Sequence, residues 1–303
     1  MNVWQPKPGE ILLARAPVTF ATGAAMSVRG MRWFRDTDRN DIQHELPGWP
    51  EGPSFTAHST GGTVILKSLK GAGMVAGTAF MALLSAAGGN IAGPSDDSGS
   101  DTPDKPADEV EDFPVMWAAP GSLARTLPWQ LDPSRTDQKH QCTHAIVTDR
   151  RLVIVKLPYD RKNFAAIDDE VLWQCPRTDI RDIELKDFRD GHDFKVIFID
   201  GSWCRLTCAA RRKLTRHLMK TSVLIPQKSL NPKQQKTISD FAAKAEMPDS
   251  VSPVVSQNPC GHYRVEILLP SRITSAFGAS EKSTLMDSDG VEVDIKEYDP
   301  EDF

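Results

Sequence analysis

The fold of this chain is decided by residues 144–220, which contain the runs HAIVTDRRLVIVKL (144–157), EVLWQCP (170–176), RDIELK (181–186), FKVIFIDGSWCRLT (194–207) and AARRKLTRHLMK (209–220). The first four hold short apolar and β-branched stretches separated by turn residues, a pattern typical of antiparallel strands. The last places apolar residues at helical spacing. This order predicts five strands followed by one helix.

Turn residues mark the ends of the predicted strands. Residues Thr148–Arg151 separate two apolar runs and predict a hairpin. Asp190-Gly191 and Asp200-Gly201 predict two further turns, because Asp and Gly favour tight connections between strands.

The helix predicted over 209–221 is strongly basic and carries Leu214 and Leu218 on its buried side. Eleven candidate residues for binding an anionic partner, through arginine forks or lysine charges, lie around the first hairpin and at the end of this module. They are Arg150, Arg151, Lys156, Arg161, Lys162, Arg205, Arg211, Arg212, Lys213, Arg216 and Lys220. A solvated surface is the alternative interpretation of this set. Nucleic acid is disfavoured as a partner because few aromatic side chains are interleaved.

The strand series with T-D-R-R-L at its first hairpin, D-G-S-W at its last and one closing helix resembles the GRAM and bacterial pleckstrin-homology-like domains. The resemblance covers residues 140–222, and the whole chain is similar in character to actinobacterial proteins that carry such a domain. It implies a β-rich α+β fold, in which a small antiparallel barrel is capped by its C-terminal helix and recognises lipid headgroups or peptides. Residues 9–22 would supply the first strand, and residues 23–139 would be a long insertion.

The remaining segments are assigned by composition. Residues 64–93 predict a Gly/Ala-rich helix packed on protein, with membrane adsorption as the alternative, because no charge appears between Gly71 and Gly93. Residues 94–112 predict a disordered acidic linker. Residues 223–303 form a C-terminal extension with an acidic tail, in which 262–269 is expected to pair with 291–298 as a hairpin. The alternative is that 291–298 is a strand donated to another protein.

Charge is distributed unevenly along the chain. Residues 94–112 and 281–303 each carry a net charge of -7, whereas the whole chain carries -5, which leaves +9 for the rest. A basic body with two acidic appendages favours an anionic partner, for which the appendages would compete. The alternative is that the acidic segments only maintain solubility.

Cysteine and histidine residues give weak signals for chemistry. The spacing His140-x-Cys142-x-His144 places three potential ligands on one strand face, but no C-x-x-C pair accompanies it, so no metal site and no cofactor are expected. An odd number of cysteines and the absence of a signal-like N-terminus favour a reducing cytoplasm, with peripheral association at the inner membrane face left open.

No hydrolase, metalloprotease, Walker or kinase motif appears, so the sequence predicts no catalytic residues and no enzyme. The favoured interpretation is a non-enzymatic adaptor that binds an anionic lipid surface or a protein partner. A purely protein-binding scaffold, with 71–93 and the terminal strands as a subunit interface in a homo-oligomer, is the second. An enzyme whose site is not visible in the sequence is the third.

Overall fold

The computed structural model describes residues 4–21, 34–38, 40, 42–50, 114–133, 135–136, 141–158, 169–186, 192–219, 222–245, 252–268 and 281–298. Within these residues the fold is α+β and β-rich, as the sequence predicts. The predicted helix at 64–93 and the predicted linker at 94–112 lie outside the described residues.

The described residues form fourteen strands and two α-helices. The strands are β1 (Leu12–Pro17), β2 (Thr19–Phe20), β3 (Phe34–Arg35), β4 (Met116–Trp117), β5 (Gln141–Thr148), β6 (Arg151–Pro158), β7 (Glu170–Pro176), β8 (Ile180–Lys186), β9 (Asp193–Phe198), β10 (Trp203–Thr207), β11 (Val223–Leu224), β12 (Val254–Gln257), β13 (Tyr263–Leu268) and β14 (Glu281–Met286). The helices are α1 (Arg211–Leu218) and α2 (Pro232–Lys244). Short 3-10 helices span Leu123–Thr126, Trp129–Leu131, Arg177–Asp179, Gln227–Ser229 and Ile295–Glu297.

These strands form three mostly antiparallel sheets and, within the described residues, no closed barrel. The first sheet has the order β1-β5-β6-β7, and the second has the order β3-β4-β10-β9-β8, with β2 also paired to β10. Since β1 pairs with β5 and the adjacent β2 pairs with β10, one continuous segment joins the two sheets at a corner. The third sheet has the order β11-β12-β13-β14.

The main core lies between the first two sheets and is closed by α1. Leu214 and Leu218 of α1 are buried in it together with side chains such as Ile154 of the first sheet and Val196 of the second. The predicted buried side of the helix is therefore confirmed. The first sheet also buries its outer face, where Val153 and Val155 are part of a second apolar cluster. This explains why β6 reads as a continuous apolar run rather than an alternating one.

The C-terminal extension folds into the third sheet with α2 on one face. Leu230, Ile238 and Val265 belong to its separate small core. Strand β13 pairs with β12 and β14, so it does not form the hairpin with 291–298 that the sequence suggested. The acidic stretch from 281 to 298 is likewise not a free tail, because it contains β14 and a turn that packs against α2.

The turn after β14 approaches the first turn of α2 so closely that only glycine fits. Gly290 has a φ of +82°, and a Cβ there would lie 2.6 Å from the backbone nitrogen of Gln234. We expect Gly290→Ala to lower the free energy of unfolding by about 2 kcal/mol, because a left-handed backbone and a backbone clash both oppose the methyl group. Gly261→Ala is the matched control, since Gly261 has a φ of +95° but open space around it. It should cost about 1 kcal/mol in urea titrations, and equal losses for the two variants would contradict the close approach.

Candidate functional site

The T-D-R-R hairpin between β5 and β6 binds a segment far away in the sequence. Arg151 donates from Nε and Nη2 to the two carboxylate oxygens of Glu10, each at 2.8 Å. The Thr148 hydroxyl donates to the same carboxylate at 2.7 Å, as does the backbone N–H of Lys7 at 2.9 Å. The hydrogen bond from Arg151 is the main cause that lowers the pKa of Glu10 from 4.5 to about 2.

The two middle residues of this hairpin hold the same segment by its backbone. The Asp149 carboxylate accepts the N–H of Ile11 at 2.8 Å, and Arg150 donates to the carbonyl oxygen of Gly9 at 2.7 Å. The guanidinium of Arg151 also lies over the ring of Trp4, 5.3 Å from its centroid. All four residues of the predicted hairpin are therefore used to hold residues 4–11 against the first sheet.

The D-G-S-W turn between β9 and β10 has a similar structural role. One oxygen of the Asp200 carboxylate accepts the backbone N–H of Leu123 at 2.6 Å, while the other accepts the Ser202 hydroxyl at 2.6 Å. Ser202 in turn accepts the N–H of Ala124 at 3.1 Å. The turn predicted at Asp200-Gly201 is confirmed, and its side chains fix the start of the 3-10 helix Leu123–Thr126.

The Cys142 and His144 side chains belong to a buried polar network on the outer face of the first sheet. Arg15 donates from Nε to Nδ1 of His144 at 3.1 Å and makes a two-pronged ion pair with Asp169, at 2.7 and 2.8 Å. The Cys142 sulfur lies 3.7 Å from Nε2 of His144, and burial raises the pKa of this thiol to about 12. Cys142 is therefore a protonated, poorly nucleophilic thiol. His140 lies outside the described residues.

Most of the described candidate cations are committed to contacts inside the protein. Arg205 is only 1% exposed and lies 3.5 Å from Asp193, so it is not accessible to a partner in this structure. Arg211 donates to the carbonyl oxygens of Lys186 and Asp193, both at 2.9 Å. Lys156 pairs with Glu170 at 3.3 Å, as Arg151 pairs with Glu10.

Three described candidates remain at the surface. Arg150 is 62% exposed although it holds Gly9, and Arg212 and Lys213 lie in the first turn of α1, with Arg212 exposed and Lys213 half-buried. Arg212 has no ion pair within the described part of the chain. The first turn of α1 contains no acidic residue to offset these charges. The structure does not describe Arg161, Lys162 or Lys220.

The last candidate, Arg216, joins α1 to the third sheet. Its Nη1 donates to Oε1 of Glu266 on β13 at 2.9 Å, and Nε2 of His217 lies 3.1 Å from Oε2 of the same carboxylate. Glu266 is 2% exposed. A side chain predicted to lie on the binding stripe is therefore part of the contact between the main core and the C-terminal extension.

Sequence reasoning missed the acidic partners of these cations. Glu10, Asp169 and Glu266 each pair with an arginine at least 50 residues away, and no local pattern marks them. The helix α2 was also missed, although a signal was present. Asn231 accepts the N–H of Gln234 while the Gln234 side chain accepts the N–H of Asn231, so the two form a capping box.

Comparisons of the chain with protein-family models, with curated proteins and with solved structures found no match. Among the described residues, no three His, Cys, Asp or Glu side chains come together as ligands for a metal ion. Neither α1 nor α2, the two α-helices in the described ranges, has the length and apolar content needed to cross a bilayer.

Proposed function

We propose that this protein is a non-enzymatic adaptor, built on a pleckstrin-homology-like module, that binds an acidic protein partner through the outer side of α1. The observation that carries the proposal is the acid-free first turn of α1, where Arg212 is exposed beside the half-buried Lys213. A cationic surface of this kind attracts an anionic partner and orients it during encounter.

The order of elements supports the pleckstrin-homology-like module. Strands β1, β5, β6 and β7 form one antiparallel sheet, β8, β9 and β10 follow in the second, and α1 comes next in the chain. Helix α1 packs on both sheets, with its apolar side in the core between them. The order of these elements is the one that the resemblance implies, with β1 and β2 lying within residues 9–22, although the described strands form separate sheets and not a closed barrel.

The number of exposed cations favours a protein partner over a membrane. A lysine or arginine near an anionic bilayer contributes about 1 kcal/mol, so Arg212 and Lys213 together supply only about 2 kcal/mol. Stable peripheral binding needs a larger basic patch or a second anchor. Arg205, Arg211 and Arg216 do not enlarge this cationic surface, because they bond within the protein.

The test uses the full chain with an Arg212→Glu/Lys213→Glu variant and a Lys233→Glu/Lys236→Glu control. The control makes the same change in net charge on exposed positions of α2. We expect the wild-type protein and the control to capture the same partner from a cell extract, in a manner weakened by salt, and the α1 variant to lose it by at least about tenfold.

Co-sedimentation with vesicles that contain phosphatidylserine forms the second arm of the test. If the wild type and the control bind these vesicles and the α1 variant does not, the partner is a membrane surface and not a protein. Equal capture by all three proteins would remove α1 from the binding site and contradict the proposal.

A further inference from the structure

Strand β8 ends the second sheet, and its outer edge meets no strand within the described ranges. On its inner edge it pairs with β9, in a register that places Glu184 opposite Lys195 and Leu185 opposite Phe194. The irregularity in this pairing lies between Ile180 and Asp182, so residues 182–186 form a regular segment. Within this segment the backbone N–H of Ile183 donates to the carboxylate of Asp182 at 2.8 Å. An edge of this length that pairs with no strand is a template for another strand.

The side chains of β8 divide into two rows. Asp182, Glu184 and Lys186 alternate on the outer face, whereas Ile183 and Leu185 alternate on the face that meets the core. Leu185 nevertheless remains 43% exposed, which is unusual for a large apolar side chain on the inner face. A strand added at this edge would cover it.

We propose that the occupant of this edge is β8 of a second copy of the chain, paired antiparallel about a two-fold axis at Glu184. In this register Asp182 lies opposite Lys186 of the other copy, and Ile183 lies opposite Leu185. The symmetry repeats both pairs, so two opposite-charge pairs and two apolar pairs form across the edge. Directly opposite pairs of these kinds stabilise antiparallel strands by about 0.2–1 kcal/mol each.

The central pair brings Glu184 opposite itself, which is unfavourable for like charges. Each Glu184 carboxylate, however, already lies 3.2 Å from the ammonium of Lys186 and 3.4 Å from that of Lys195. The two lysines offset the repulsion at the centre of the pairing.

Neighbouring registers fit less well. A two-fold axis at Ile183 would place Asp182 opposite Glu184 twice, and both pairs would repel. An axis at Leu185 would overlap only residues 184–186 of the strand. The register centred on Glu184 is therefore the one that matches charges over the full regular segment.

The contact is small, because five residues from each strand bury less surface than the ~1,200 Å² of a stable interface. The dimer is accordingly weak, with a Kd on the order of 100 µM. It is independent of the partner site on α1, because neither Arg212 nor Lys213 takes part in it.

The test is sedimentation equilibrium of the full chain from about 10 µM to about 1 mM, a range that brackets the expected Kd. The single variants Asp182→Lys and Lys186→Asp each place like charges opposite one another twice, so each should weaken the dimer at least about tenfold. The double variant Asp182→Lys/Lys186→Asp restores opposite charges at both ends of the proposed register but removes the ammonium of Lys186 from Glu184, so it should bind more tightly than either single variant without reaching the wild type.

Circular dichroism and melting temperatures establish that each variant is folded before its mass is compared. A wild-type monomer across the whole range would overturn the proposal. Dimers that the single variants leave unchanged would place the contact elsewhere. Single variants that weaken the dimer without rescue in the double variant would overturn the register centred on Glu184.

Discussion

A Glu266→Ala variant is expected to lose about 3–5 kcal/mol of unfolding free energy at neutral pH, because removal of one partner leaves buried charge uncompensated. The carboxylate of Glu266 is held between Arg216 and His217, both on α1. Its loss would remove the acceptor of Arg216 and the carboxylate that lies 3.1 Å from His217, at the contact between the main core and the third sheet. Urea titration monitored by tryptophan fluorescence measures the effect.

The control for this prediction is Glu170→Ala. Glu170 is 60% exposed and pairs with Lys156 at 3.3 Å, so its removal should cost no more than about 1 kcal/mol. A loss for Glu266→Ala that is as small as that of the control would contradict a buried ionic contact between α1 and β13.

A Glu10→Gln variant should lose about 3 kcal/mol at pH 7. The side chain of Glu10 is 1% exposed, and the lowering of its pKa from 4.5 to about 2 corresponds to roughly this free energy. Glutamine preserves the shape of the side chain but removes the charge that pairs with Arg151. Unfolding in urea at pH 7 gives the difference between the two proteins.

The effect of Glu10→Gln on the unfolding free energy should also depend on pH. Because the pKa of Glu10 is lower in the folded protein than in the unfolded chain, its stabilisation is complete above pH 4.5 and is lost as the pH falls toward 2. The difference in unfolding free energy between wild type and Glu10→Gln should therefore shrink across that window. A difference that stays constant from pH 7 to pH 3 would show that the Glu10 carboxylate is not held by Arg151.

Local signals in the sequence were sufficient for strands β5 to β10. The turn predicted at Asp190-Gly191 lies outside the described residues. The hairpin at Thr148–Arg151, the turn at Asp200-Gly201 and the helix after Ala209 all depend on residues that are close together in the chain. Turn residues and apolar periodicity determine such elements locally. The β-rich α+β class followed from them.

The pairing of strands that are far apart in the sequence could not be predicted from such local signals. Strand β14 contains Lys282, Ser283 and Thr284 and lacks the apolar alternation that identifies a strand, so the sequence predicts 291–298 as the partner of β13 instead. Register between distant strands depends on packing against both neighbours, which a local pattern does not contain.

Local sequence also does not show which cations of the candidate site are paired within the protein. A count of cations in 140–222 identifies a basic module, but it does not separate Arg151, which is paired with Glu10, from Arg212, which is exposed. The partner that separates them is distant, because Glu10 lies 141 residues from Arg151 in the chain. Net charge indicates the sign of the charge on a partner, but it does not indicate which side chains contact that partner.

The division between structural and partner-binding cations is tested most directly by comparing Arg151→Gln with Arg212→Glu/Lys213→Glu. The melting temperature and the capture of the partner are measured for both variants. Arg151→Gln should lower the melting temperature by several degrees and, while folded, capture the partner as the wild type does. The α1 variant should keep the melting temperature of the wild type and lose the partner. The reverse assignment, in which Arg151 governs capture and Arg212 and Lys213 govern stability, would contradict the division of cations described here.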